Sequence, residues 1–270
     1  MRGSSTEARD QLMEELGSAL SQDAAAGYDV AGDLFAVAAV LRSEPSLRRP
    51  LTDVSVGADA KAGLVRSVFA GKLGDRSLEL VASAAGQRWA AMRDLGDTLE
   101  RLGVVAVVRA EEDAGEADAV EHELFMVSRL VTDNPSLRDA LSDPARNVED
   151  KQQMIRSLLE GKVARGTIQL VEQAVTGTYR TVVLAIEAYQ QIAATERDRL
   201  VALVRVARPL TDQESERLAT ALGHHYGRRV DLNELVDPDV LGGIRVEVGD
   251  DVIDGTVASR LEEARRRLAG

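Results

Sequence analysis

A chain of 270 residues is longer than most single cores, so two or three domains are expected. With 44% hydrophobic and 29% charged residues it is too apolar for intrinsic disorder, and with only 3% aromatics its cores must be built from Ala, Val, Leu and Ile. A net charge of −12 argues against nucleic acid as the main partner, and the absence of cysteine removes disulfides, thiolate catalysis and cysteine-based metal sites together.

The opening "MRGSSTEARDQ" has no apolar stretch behind its Arg and does not read as a secretory signal. A helix is expected over Thr6 to Leu20. The longest unbroken apolar run follows, Leu34 to Leu41, far short of the ~20 residues that span a bilayer, so no segment is expected to cross a membrane by itself, and the lack of cysteine fits an expected cytoplasmic address.

From Leu34 the chain begins to say something that it repeats. "LFAVAAVLRSEPSLRRPLTD" from Leu34 matches "LFMVSRLVTDNPSLRDALSD" from Leu124, and "AKAGLVRSVFAGK" from Ala60 matches "DKQQMIRSLLEGK" from Asp150. The offset is 90 residues without a gap, and 14 of the 40 positions from Leu34 to Leu73 are identical, where chance gives about 2 or 3. Two Ala/Leu-rich helical stretches can converge in pattern, but not in the shared register of Pro45/Pro135, Ser46/Ser136, Arg48/Arg138 and Gly71/Gly161. An internal duplication is expected.

Each copy reads as about six helices. In the second, Asn147 caps a helix whose apolar face is Met154, Ile155, Leu158 and Leu159 and whose left-handed stop is Gly161. In the first, Leu64, Val65, Val68, Phe69 and Gly71 repeat it. Helices around Ser77 to Arg88 and Thr167 to Val175 follow, and the second copy is expected to open with a helix over Val104 to Asp113. The expected domains are 1–102, an extra helical bundle, 103–198, a second bundle, and 199–270, a mixed domain.

In that third domain the period changes. "LVALVRVA" and "RRVDLNELV" read as strands around a helix with a capping box of Thr211 and Glu214. Ile244, Val246 and Val248 share one face of a further strand, with Arg245 and Glu247 on the other; Gly249 and Asp250 turn the chain, and Thr256 caps a last amphipathic helix. The fold class is mainly α with a small α+β C-terminal domain: two tandem six-helix bundles, then a small mixed sheet packed on two helices.

The residues do not assemble a catalytic or metal site. A calcium loop starting at Asp250 would need a ligand and a glutamate where Val252 and Leu261 stand. Gly242-Gly243 is not a GxGxxG, no phosphate loop occurs, and "AGK" and "EGK" read as helix stops. His224 and His225 are adjacent on a helix and diverge, and His122 is alone. No cofactor is expected. The basic run Arg265 to Arg267 reads as cations in the last turn of a helix.

Against that background, "DPDVLGGIRVEVGDDVIDGTVASRLEEARRRL" closely resembles the C-terminal signature of the delta subunit of the F-type ATP synthase, whose mitochondrial counterpart is the oligomycin-sensitivity-conferring protein. "VVAVVRAEEDAGEADAVEHELF", "NPSLRDALSDP", "DKQQMIRSLLEGK" and "ARPLTDQESERLATALGHHYGRRVDLN" follow the order of that family. By this resemblance, residues from about Gly103 to Gly270 are expected to correspond to a whole delta subunit of the usual pattern, with the first copy an addition similar to the longer actinobacterial form.

The resemblance implies a non-catalytic stator subunit on the cytoplasmic face of the membrane. Its implied partners are the N-terminal helix of an alpha subunit, held by the bundle, and the C-terminal end of the b-subunit stalk. It places the alpha helix between the first and fifth helices of a bundle, with Val104, Val108, Ile168, Val171 and Val175 the candidates in the second copy, although each also reads as ordinary bundle core. The second copy, next to the C-terminal domain, is expected to keep this groove. Leu241, Ile244 and Val257 are the candidate b-stalk contacts. The rival readings are a helical adaptor unconnected to the synthase and a helical enzyme with a site built from scattered carboxylates.

Overall fold

The computed structural model describes residues 3–21, 23–197, 199–237, 242–248 and 251–255. The chain divides into two compact units, Met1–Glu196 and Arg197–Gly270. Among the described residues the first holds eleven α-helices: α1 (Gly3–Leu20), α2 (Gly27–Ser43), α3 (Pro45–Thr52), α4 (Ala58–Phe69), α5 (Asp75–Gly86), α6 (Asp94–Asp113), α7 (Ala117–Asp133), α8 (Pro135–Ser142), α9 (Val148–Leu159), α10 (Arg165–Ala174) and α11 (Val182–Arg197).

The duplication is written into both backbone and side chains. Helices α2 to α5 recur as α7 to α10 in the same order, each beginning 90 residues later. Gly71 and Gly161 stop α4 and α9 at φ of 70° and 72°, the left-handed region that glycine enters without a Cβ penalty. Asp33 accepts from Gly74 N at 2.9 Å, and Glu123 accepts from Ala164 N at 2.9 Å. Lys72 reaches the carbonyl of Val68, and Lys162 that of Leu158. The core positions agree as well: Leu34 and Leu124, Leu51 and Leu141, Val65 and Ile155, Val81 and Val171 are all buried.

Local sequence explains these ends. Proline opens α3 and α8 at the first turn, where its missing N–H leaves no bond unmade. Asn147 Oδ1 accepts from Asp150 N at 2.7 Å and caps α9, as its position in the sequence predicts.

The expected boundary at 102/103 falls inside α6, which is one helix of 20 residues, and the first unit shares one hydrophobic core from Ala8 to Ala193 rather than two separate ones. The physical reason lies in α6 itself. Val104 to Val108 are five consecutive buried residues, more than a full turn, so this helix is covered on every side. It closes the first copy and opens the second. The stretch Ala24–Ser43 is long and apolar enough to cross a membrane by composition; here its apolar positions belong to this core.

The second unit contains β1 (Arg199–Val206), α12 (Asp212–Tyr226), β2 (Arg229–Val236), β3 (Ile244–Val248) and β4 (Asp251–Asp254). The sheet order is β2-β1-β3-β4, with β1 and β2 parallel and the other neighbours antiparallel. The parallel pair requires a crossover, and α12 supplies it. Thr211 and Glu214 form the capping box at its start, and Gly227 ends it at φ of 67°. Val246 lies opposite Val204 on one side and Ile253 on the other, and it is buried with Val204, Val206, Val230, Val248 and Leu222.

The alternation in β3 holds, with Ile244 packed against that core and Arg245 exposed. Glu247 departs from its expected exposure: it is half-buried, drawn between Arg245 Nε at 3.1 Å and Arg205 Nε at 3.6 Å. The expected helix after Thr256 lies outside the described residues.

Candidate partner-binding site

The five residues named for a helix groove sit on α6 and α10 or just beyond. Val104, Val108 and Val171 are buried in the bundle core, and Ile168 and Val175 are partly buried against it. Of the three residues named in the sheet unit, Ile244 is half-buried at the sheet's edge of the core, and Leu241 and Val257 lie outside the described residues.

α2 from the first copy lies along both α6 and α10. It runs antiparallel to α6 at very close range. A Cβ on Gly27 would collide with the carbonyl of Ala106, and one on Gly103 would collide with the ring of Phe35. Small residues on both helices let the backbones approach. Against α10, the Gln169 side chain donates to the carbonyl of Tyr28 at 2.8 Å, and the Arg165 guanidinium stacks 4.3 Å over the Tyr28 ring and lies 3.7 Å from Asp29. Further along, Arg42 donates to the carbonyl of Thr176 at 3.2 Å.

The seam continues into a buried polar cluster. Glu100, on α6, has a side chain only 3% exposed and accepts from Arg42 at 2.9 Å, from Thr178 Oγ1 at 2.6 Å and from the hydroxyl of Tyr189 on α11. A buried carboxylate is tolerable only when its lone pairs are filled, and here three elements fill them. Burial pushes the Tyr189 phenol well above its ordinary range, reinforced by the neighbouring Glu100 charge. Burial also raises Tyr28, to about 12, with Glu111 adding to it. A second half-buried pair, Arg109 to Glu196 at 3.3 Å, joins α6 to α11.

Sequence reasoning missed these seam residues, because Tyr28, Arg42 and Glu100 belong to no motif and meet only through tertiary packing. It also missed three exposed large apolar side chains on α7. Phe125 is 49% exposed, Met126 54% and Leu130 37%. The repeat carried the signal: Phe125 is the counterpart of Phe35, which is buried.

Among the described residues no group of three or more metal-ligating side chains comes together. Large apolar side chains among the described residues are exposed on helical surfaces of the first unit and, in the second, on the edge strand β4 at Val252 and Ile253. The class these elements define is a mainly helical protein that ends in a small mixed sheet. The family model described as ATP synthase delta (OSCP) subunit matches residues 104–268, so the chain belongs to that family. The match begins inside α6, at the start of the second copy.

Curated relatives called ATP synthase subunit delta extend over both copies. One from Nocardioides sp. is 51% identical, covering 100% of this chain and 98% of its own. Another from Streptomyces avermitilis is 42% identical over 99% and 98% of the two chains, and one from Kineococcus radiotolerans is 45% identical over 93% and 91%. A chain in the mitochondrial ATP synthase of Toxoplasma gondii is 21% identical, covers 62% of this chain and 95% of its own, and superposes with a TM-score of 0.26, too low to carry an argument.

Proposed function

We propose that this chain is the peripheral-stalk subunit of an F-type ATP synthase, without catalytic activity of its own, which ties the alpha subunits of the head to the b-subunit stalk so that rotor torque drives synthesis. The observation that carries the reading is the full-length similarity to subunits called delta, both helical copies included.

The architecture supports it. A stator must bear torque without creeping, and α6, buried on all sides and common to both copies, makes the helical unit one packed body. The Glu100 cluster fastens α2, α6 and α11 to one another. In this reading the helical unit holds an alpha N-terminal helix, the sheet unit holds the end of the b stalk, and the complex lies on the cytoplasmic face of the membrane.

The test is reconstitution. Synthase stripped of this subunit should hydrolyse ATP without pumping protons, and the purified chain should restore coupling while showing no ATPase activity alone. Failure to bind the stripped complex would leave a helical adaptor unconnected to the synthase.

A further inference from the structure

Because α6 belongs to both copies, the helix packed on it within the first copy also lies against the second. α2 runs along α6 with Gly27 against Ala106 and Ala110 and with Phe35 against Gly103. Its N-terminal half is thereby set beside α10, where the second copy grips it with two side chains. Gln169 donates to the carbonyl of Tyr28, and Arg165 covers the Tyr28 ring and faces Asp29. The grip is particular to the second copy. At the same register of the first, 90 residues earlier, stand Asp75 and Glu79, and Glu79 is paired with Arg66 instead.

α2 also lies outside the stretch that the delta family model matches, which begins at residue 104. The α6–α10 face of the matched unit is therefore covered by a helix from beyond it. We propose that α2 is a built-in occupant of this groove, which stays in place when the chain assembles and bars a helix of any other subunit from the α6–α10 face. The inference rests on the reading of the chain as a synthase subunit, and it reverses the sequence-based expectation that the second copy keeps its groove for an alpha helix. An outside helix would have to compete with one held in the same chain, at an effective concentration on the order of millimolar. Displacing α2 would also bare Val30, Leu34, Phe35 and Leu41 and take Arg42 from buried Glu100.

The experiment uses the full chain and purified catalytic head of the same synthase lacking this subunit. Gly32→Cys with Gln169→Cys puts one thiol on each helix of a chain that has no cysteine of its own. A Cβ at Gly32 meets the Gln169 side chain at 3.7 Å, ordinary contact, so a short bismaleimide should join the two positions in the free double variant. The cross-linked chain should bind the head with the affinity of the same variant left uncross-linked, and the variant bound to the head first should still form the cross-link within the chain. A loss of about tenfold or more in affinity on cross-linking, the size of effect that follows loss of a central anchor, would overturn the built-in occupant alone. So would absence of the cross-link in the free chain, or its disappearance when the head is bound. Failure of the parent chain to bind the head would overturn the functional reading and this inference with it.

Discussion

The ring of Phe35 on α2 lies so close over Gly103 on α6 that no side chain, not even a methyl group, fits at position 103 without displacing it. Gly103→Val should therefore destabilise the helical unit by about 1 to 3 kcal/mol through overpacking, measured by urea unfolding. Combining it with Phe35→Ala should cost less than the sum of the two single changes, because both act on one contact. Additive costs would mean that the ring and the glycine do not meet.

Arg42→Ala removes one of the donors to buried Glu100 and leaves a carboxylate held by Thr178 and Tyr189 alone. Breaking a fully buried pair costs about 3 to 5 kcal/mol; Arg42 is itself about a quarter exposed, so about 2 to 3 kcal/mol is expected after allowing for solvent screening. Glu100→Gln in the Arg42→Ala background should recover part of that, since the amide buries no charge. Equal stability of Arg42→Ala and the parent would show that the seam bears no load.

Much of this fold was legible because its signals are local. Asn147, Gly161 and the Thr211/Glu214 box mark helix ends by chemistry within four residues, and the period-two run from Ile244 to Val248 names its own buried face. The repeat gave the helix order of the second copy from the first. The sharing of α6 was harder to read, because an apolar run with buried residues on every side looks the same whether it ends one bundle or serves two. The filling of the α6–α10 surface by α2 was not legible at all: Tyr28 and Gln169 are 141 residues apart, and nothing in either neighbourhood points to the other. Glu247 shows the same limit at short range, its burial set by Arg205 on a strand 42 residues earlier.

Val246 is 1% exposed at the centre of the sheet unit, between Val204 and Ile253. Val246→Asp should cost several kcal/mol, roughly 3 or more, because an unpaired carboxylate would be held in an apolar core. Arg245→Asp, at an exposed position one residue away, should cost far less. A melting temperature unmoved by Val246→Asp would reverse the assigned register of β3.

The Arg208 guanidinium, with the backbone and hydroxyl of Thr211, holds the Glu214 carboxyl down at about 2 from an ordinary 4.5. A depressed carboxylate favours the folded state above its unfolded value, and that contribution is lost as pH falls from 4.5 through about 2. Carboxyl chemical shifts followed by NMR should place the Glu214 transition near the lower end of that window, and Arg208→Ala should move it upward. Titration of Glu214 near 4.5 in the parent chain would dissolve the pair.

The four tyrosines of the chain, Tyr28, Tyr179, Tyr189 and Tyr226, are all raised above the ordinary phenol value of 10. Burial is the leading cause for the first three; for Tyr226 it is the hydrogen bond it donates to Asp251 at 2.7 Å. The folded chain therefore keeps protons that the unfolded chain releases above pH 10. Stability from this source is fully present below 10 and is lost as pH rises, through about 12 for Tyr28. Absorbance at the phenolate band should show a midpoint above 10 for the native chain and near 10 in denaturant. Tyr189, deepest of the four and donating its hydroxyl to Glu100, should ionise last, together with the unfolding of the helical unit. Four phenols titrating together near 10 in a chain that stays folded would contradict the burial of Tyr189 and the closed seam around Glu100.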